Sequence, residues 1–120
     1  MLLHLLKSKL HLATVTGAKL HYQGSVSIPA DLLEAVGLLP YEKVLIANCS
    51  NGLRGETYVI RGEPGTGQIQ MNGAMARLAA VGDRIIILAF AELTPEEATE
   101  HHPRIAVLDR ENRIVNQRDG

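Results

Sequence analysis

Ser25 offers a hydroxyl beside Gly24, Lys9 and Arg54 offer fixed positive charge, and His11 and Tyr58 carry protons that can move. Tyr22, Thr57 and the run Asn72-Gly73-Ala74-Met75 add further polar groups and bare main chain. A hydroxyl is a nucleophile, a guanidinium grips a carboxylate, and a phenol or imidazole passes a proton to a reacting atom. Taken singly, each residue has a plainer explanation. A Gly-Ser pair is usually a bend, Arg54 after a tight turn is usually a solvated charge, and Tyr58 in a strand usually packs. Asn72-Gly73 usually turns or caps. Lys9 and His11 stand on alternate positions of one strand and share a face, more often a solvent face than a site.

Other chemistry lacks its pattern. No G-x-S-x-G elbow surrounds Ser25, and the start of a helix explains Asp31. His101-His102 would point about 100° apart on a helix and seldom chelate one ion. The loop Gly62–Gly67 lacks the Gly-Lys-Ser/Thr of a phosphate-binding loop. The one cysteine, Cys49, excludes an internal disulfide or a multi-cysteine metal cluster and reads as a buried small hydrophobe.

The elements that must position these residues are short. Lys9–Thr16 partly alternates apolar and polar residues and reads as a strand that Gly17 breaks; Leu20–Ile28 reads as a second extended stretch. Pro29–Val36 reads as a helix, with Pro29 at its start and Gly37 as its stop. Val44–Cys49 and Glu56–Arg61 are strands answering each other across the tight-turn signal Asn51-Gly52. Gln68–Met71 is a short strand, and Asn72 is placed to cap a helical turn over residues 73–77. Arg84–Leu93 is the most apolar strand and belongs in the middle of the fold. Thr94-Pro95-Glu96-Glu97 is a capping box, and Ile105–Leu108 reads as the closing strand.

The 120 residues suit one domain, 1–120, with no internal repeat or linker. Hydrophobic residues make up 46% but aromatics only 3%, so Val, Ile, Leu and Ala must build the core, as suits packed strands. Twelve basic and thirteen acidic residues give a formal charge of −1, which argues against a nucleic-acid partner. No apolar run is long enough to span a membrane, and the apolar opening Met1–Lys7 is too short for a secretory signal. A cytoplasmic protein is expected. The pattern as a whole reads as mainly β, a compact barrel with short flanking helices.

Order changes the weight of these residues. Lys9-Leu10-His11, then Leu20-His21-Tyr22-Gln23-Gly24-Ser25, then Asn51 to Tyr58, then Gln70-Met71-Asn72-Gly73-Ala74 together resemble the aspartate 1-decarboxylase proenzyme family. The resemblance runs from about Met1 to about Val115, and four separated motifs match at once. It implies a double-psi β-barrel and a homotetramer with active sites between subunits, and it leaves a maturation helper as an open requirement.

The resemblance also implies self-cleavage at Gly24-Ser25, giving residues 1–24 and 25–120, with Ser25 left as a pyruvoyl group. Glycine before serine leaves the carbonyl open to attack, and Thr57 matches the residue that assists processing. The pyruvoyl ketone would form a Schiff base with L-aspartate and take up the electrons released as carbon dioxide departs, without pyridoxal phosphate or metal. β-Alanine, a precursor for pantothenate and coenzyme A, would be the product. The resemblance assigns Arg54 and Lys9 to the substrate carboxylates; such a pair at ~4 Å gains roughly 4 kcal/mol at an effective dielectric near 20. It makes Tyr58 the proton donor, sets Asn72, Gly73, Ala74 and Met75 against the pyruvoyl carbonyl and substrate, and puts Tyr22 and His11 in the pocket wall.

The chain departs from the family pattern at Leu12, where arginine is common, and at Met75 and Arg77, where alanine and histidine are usual. A rival resemblance covers Ser27 to Leu38, which is similar to the core of swapped-hairpin regulators that bind DNA. That likeness reflects barrel topology and leaves Arg54, Tyr58 and Asn72 without a role.

Overall fold

The computed structural model describes residues 1–119. Among the described residues nine strands form one sheet: β1 (Leu3–Thr14), β2 (Gly17–Lys19), β3 (Ser25–Pro29), β4 (Lys43–Asn48), β5 (Arg54–Gly62), β6 (Gln70–Asn72), β7 (Arg84–Leu93), β8 (Arg104–Leu108) and β9 (Ile114–Asp119). Two short helices, α1 (Ala30–Val36) and α2 (Pro95–Ala98), flank them, with a 3₁₀ turn at Gly73–Arg77. The strand order is β2-β6-β3-β5-β4-β7-β1-β8-β9. Parallel pairs (β3 with β5, β1 with β8, β2 with β6) sit beside antiparallel ones, a mixed mainly-β arrangement consistent with the expected double-psi β-barrel.

Alternation decides the core. Leu10, Val26, Ile28, Ile46, Val59, Met71, Ile85 and Ile87 are fully buried on the inward face of their strands. Each such side chain adds roughly 1.5–3 kcal/mol on leaving water. Helix α1 presses Ala30, Leu32, Leu33 and Val36 into the same cluster. That face of α1 is therefore taken up by packing. Gly37 ends α1 at φ 74° and returns its N–H to Leu33 O, as its place in the sequence suggests. Ser8 Oγ donates to Val36 O at 2.6 Å, and Lys7 Nζ donates to Gly37 O at 2.6 Å, so β1 holds the helix end and its negative pole.

Asn112 joins distant parts of the chain. It is 3% exposed, accepts from Thr14 N at 2.7 Å, and donates to Thr14 O and Gly67 O. The capping box at α2 forms as read, with Thr94 and Glu97 exchanging hydrogen bonds.

Several elements differ from the sequence reading. Strand β1 begins at Leu3, because β7 pairs with it over its whole length, from Leu3 opposite Leu93 to Thr14 opposite Arg84. Breaks in register between Leu6 and Ser8 and between Leu10 and Ala13 hide the alternation. Residues 20–24 form an exposed bend rather than a strand, because no ladder partner reaches them; β3 starts only at Ser25. Strand β9 follows β8 as the true last strand, and all six of its residues are exposed, so main-chain pairing holds it without burial. Cys49 is exposed, just past the end of β4.

Candidate active site

Strand register lays the site out in rows. Ser25 opposes Asn72 across β3 and β6, and Asn72 opposes Lys19 on β2. On the other side, Val26 opposes Val59 in parallel register, so one step back Ser25 stands in line with Tyr58 of β5. Tyr58 in turn opposes Lys43. Opposed residues share a face. Since Val26, Val59 and Met71 face the core, Ser25, Tyr58 and Asn72 share the other side of the sheet.

Ser25 is nonetheless 0% exposed. The turn beginning at Gly73 lies against the bend at 20–24 that leads into Ser25. Asn72 is 2% exposed and donates from Nδ2 to Ser25 Oγ at 2.9 Å. This corrects the expected cap: the Asn72 side chain makes no bond to the 3₁₀ turn that follows it and is committed to Ser25. Gly24, directly before the buried serine, is exposed.

Gly73 needs to be glycine here. Its φ is +66°, and a Cβ would meet Gly24 Cα at 2.7 Å, Gly24 N at 2.8 Å and Tyr22 O at 2.8 Å. Gly24 itself has neither a positive φ nor any atom within 4 Å of a Cβ position. The backbone constraint beside the Gly24-Ser25 bond therefore sits at Gly73.

Thr57 is half-buried on the core side of β5, next to Tyr58. The Tyr58 ring lies 6.5 Å from that of Tyr41, a neighbour the sequence reading passed over. Tyr22 is 58% exposed at the tip of the bend, with the Lys19 ammonium 5.8 Å from its ring centre. Arg54 is exposed at the start of β5 and opposes Ala47. Ala74 is exposed, but Met75 is 9% exposed and belongs to the core. Its Sδ and Cε lie 3.5 and 3.4 Å from where a Cβ of Gly55 would be. The departure at Met75 is thus absorbed by packing under β5.

Lys9 and His11 are not brought to Ser25 by this ladder: β5, β4 and β7 stand between β3 and β1. Lys9 opposes Ile105, which opposes Arg118, and His11 opposes Val107. Burial, with the positive charges of Lys9, Arg118 and Arg84, holds the His11 pKa below its usual 6.5. Its Nδ1 is buried without a hydrogen-bond partner among the described residues. Leu12, another of the departures, has φ 65°, and its carbonyl accepts two bonds from Arg84 at 3.1 and 2.7 Å. His101 is occupied by the carbonyl of Leu6 at 2.6 Å. No helix among the described residues is long and apolar enough to cross a membrane.

Comparison with known proteins converges on one family. The aspartate decarboxylase family model matches residues 1–115. Aspartate 1-decarboxylase of Chloroherpeton thalassium is 53% identical over 113 residues, 94% of this chain and 83% of that protein. The same enzyme of Salinibacter ruber is 53% identical over 97% of this chain and 80% of its own length. That of Thioalkalivibrio sulfidiphilus is 55% identical over 96% of this chain and 91% of its own. The match spans the buried serine, its asparagine partner and both strands beside them, and the chain belongs to the aspartate decarboxylase family.

Proposed function

We propose that the chain is a precursor that cuts itself between Gly24 and Ser25, and that the mature protein uses the resulting pyruvoyl group to convert L-aspartate to β-alanine and carbon dioxide. As a member of its family the chain is a carbon–carbon lyase acting on aspartate. One observation carries the finer reading. A fully buried serine accepts a hydrogen bond from a buried asparagine, directly after an exposed bend that ends in glycine. Serines that only line a turn are not held this way.

The chain's own residues can perform each step of maturation. Ser25 Oγ gives up its proton and bonds to the Gly24 carbonyl carbon, the C–N bond breaks, and the nitrogen of Ser25 takes up that proton to become a free amine. Loss of the Ser25 α-proton then expels the ester oxygen from Cβ, leaving Gly24 as a carboxylate and residue 25 as an enamine. Water replaces the nitrogen, which leaves as ammonia. Thr57, in line with Gly24 by the same register, is suited to donate toward the oxyanion of the first step.

The surroundings suit the group that results: Asn72 is at hydrogen-bond distance of Ser25 Oγ in the precursor, and Gly73 lies against the bend without a side chain. Once formed, the pyruvoyl ketone supplies an electrophile for the substrate amine and a sink for the electrons of the breaking bond. Arg54, exposed and forked, is suited to grip the side-chain carboxylate. Tyr58, in the row of Ser25, is placed to return a proton to carbon. Asn72 and the main chain of Gly73, Ala74 and Met75 orient the substrate, and Tyr22 covers it. Lys9 and His11 stand on a distant outward face, which favours their reaching the site of a neighbouring copy in a homotetramer located in the cytoplasm.

An intact mass spectrum of active protein tests this reading. Two fragments are expected, the larger beginning with a ketone in place of Ser25, and Ser25→Ala is expected to remain one inactive chain. Active protein that is full-length and unmodified would rule the mechanism out.

A further inference from the structure

The bond from Asn72 to Ser25 is the second half of a relay. Gln70 Nε2 donates to Asn72 Oδ1 at 2.7 Å, and Asn72 Nδ2 donates to Ser25 Oγ at 2.9 Å. Gln70 and Asn72 are two apart on β6 and so share a face, with Ser27 and Ser25 opposite them on β3. Gln70 also opposes Gly17 of β2, where a Cβ would come within 3.2 Å of its Oε1 and 3.4 Å of its Cγ. The glutamine is thus confined between two strands.

We propose that Gln70 is a positioning residue for self-cleavage, orienting the Asn72 amide so that its NH₂ group faces the serine oxygen. This inference rests on the self-cleavage reading. A primary amide has nearly the same shape either way round, and Asn72 is too buried for water to select one orientation. A donor on its oxygen side does select one. With Oδ1 filled by Gln70, the amide can only donate to Ser25.

That polarity suits both bond-breaking steps. A donor to Oγ steadies the charge that grows on it as its proton leaves. The same donor later faces the same oxygen when it departs from Cβ as part of the Gly24 carboxylate. A reversed amide would instead accept the serine's proton in a hydrogen bond and offer its own oxygen to a developing anion.

Charge around Gln70 is sparse. The cleft beside it is lined by Thr16, Gly17, Ser27 and Gln68, none of them ionisable. The cation that register brings nearest is Lys19 of β2, opposite Asn72. A carboxyl group at position 70 would therefore titrate chiefly against Asn72 and Lys19.

Gln70→Glu reads the polarity directly. Ionised, it can only accept, so Asn72 must turn its NH₂ group away from Ser25. Newly made precursor is followed by gel and intact mass at several pH values, beside the parent chain. At neutral pH the variant is expected to cut at least tenfold more slowly. Acidification, which gives the carboxyl a donor proton, is expected to recover much of that loss relative to the parent. Gln70→Met, unable to donate at any pH, is expected to be slow throughout, and its melting temperature checks folding should the glutamate variant not fold. Parent-like cutting in either variant overturns the proposal, as does slow cutting of Gln70→Glu with no recovery in acid. A parent chain that never cuts instead sinks the self-cleavage reading.

Discussion

Gly73 and Gly24 meet main chain to main chain: a Cβ on Gly73 would lie 2.7 Å from Gly24 Cα and 2.8 Å from its nitrogen, while a Cβ on Gly24 would meet nothing. The strand β6 and the turn after it therefore hold the bend that presents the Gly24-Ser25 bond. Gly73→Ala must pay for a left-handed φ and displace that bend, roughly 1–3 kcal/mol in all. We expect Gly73→Ala to cut at least tenfold more slowly, whereas Gly24→Ala folds with an unchanged melting temperature. Gel analysis of fresh precursor together with thermal melting checks both, and normal cutting of Gly73→Ala would refute the role given to this approach.

Leu78 and Met75 together fill the space that Gly55 leaves beneath β5, with Leu78 Cδ1 2.8 Å and Met75 Cε 3.4 Å from where a Cβ of Gly55 would be, so Gly55 and Met75 are expected to be coupled. Met75→Ala should cost about 2–5 kcal/mol in urea unfolding, the range for emptying a buried site. Gly55→Ala, which must displace Leu78 and crowd Met75, is expected to cost less in that background than in the parent chain, with a coupling of about 0.5 kcal/mol or more. Strict additivity would mean that the two side chains do not share the space.

His11 is expected to titrate below 6.5, held down first by burial and then by Lys9, Arg118 and Arg84. Its folded pKa is depressed, so the neutral ring contributes stability that is complete above 6.5 and is lost as the pH falls through the folded value. Proton NMR of the imidazole should show the low midpoint, and Arg118→Gln should raise it. A midpoint at or above 6.5 in the parent chain would contradict the burial seen here. An unmoved midpoint in the variant would remove Arg118 from the cluster.

Much of the fold was legible because it depends on local rules. The helix from Ala30 to its stop at Gly37, the Asn51-Gly52 turn, the capping box at Thr94 and the apolar strand Arg84–Leu93 each follow from residue type and spacing. Strand β9 was missed because Ile-Val-Asn-Gln-Arg-Asp has no buried face and is held only by pairing with β8. The bend at 20–24 was misread because alternation cannot tell an extended segment with a partner from one without.

The motifs around Lys9, Ser25, Tyr58 and Asn72 were enough to name the family, because their order along the chain is a property of the sequence itself. Which of them meet was decided by strand register and order, long-range matters that set Asn72 against Ser25 and leave three strands between Ser25 and Lys9. The neighbours of Gly73, Gln70 and Met75 were decided in the same way. A side chain's spacing says which face it takes, but only the packed neighbour on the next strand says what that face touches.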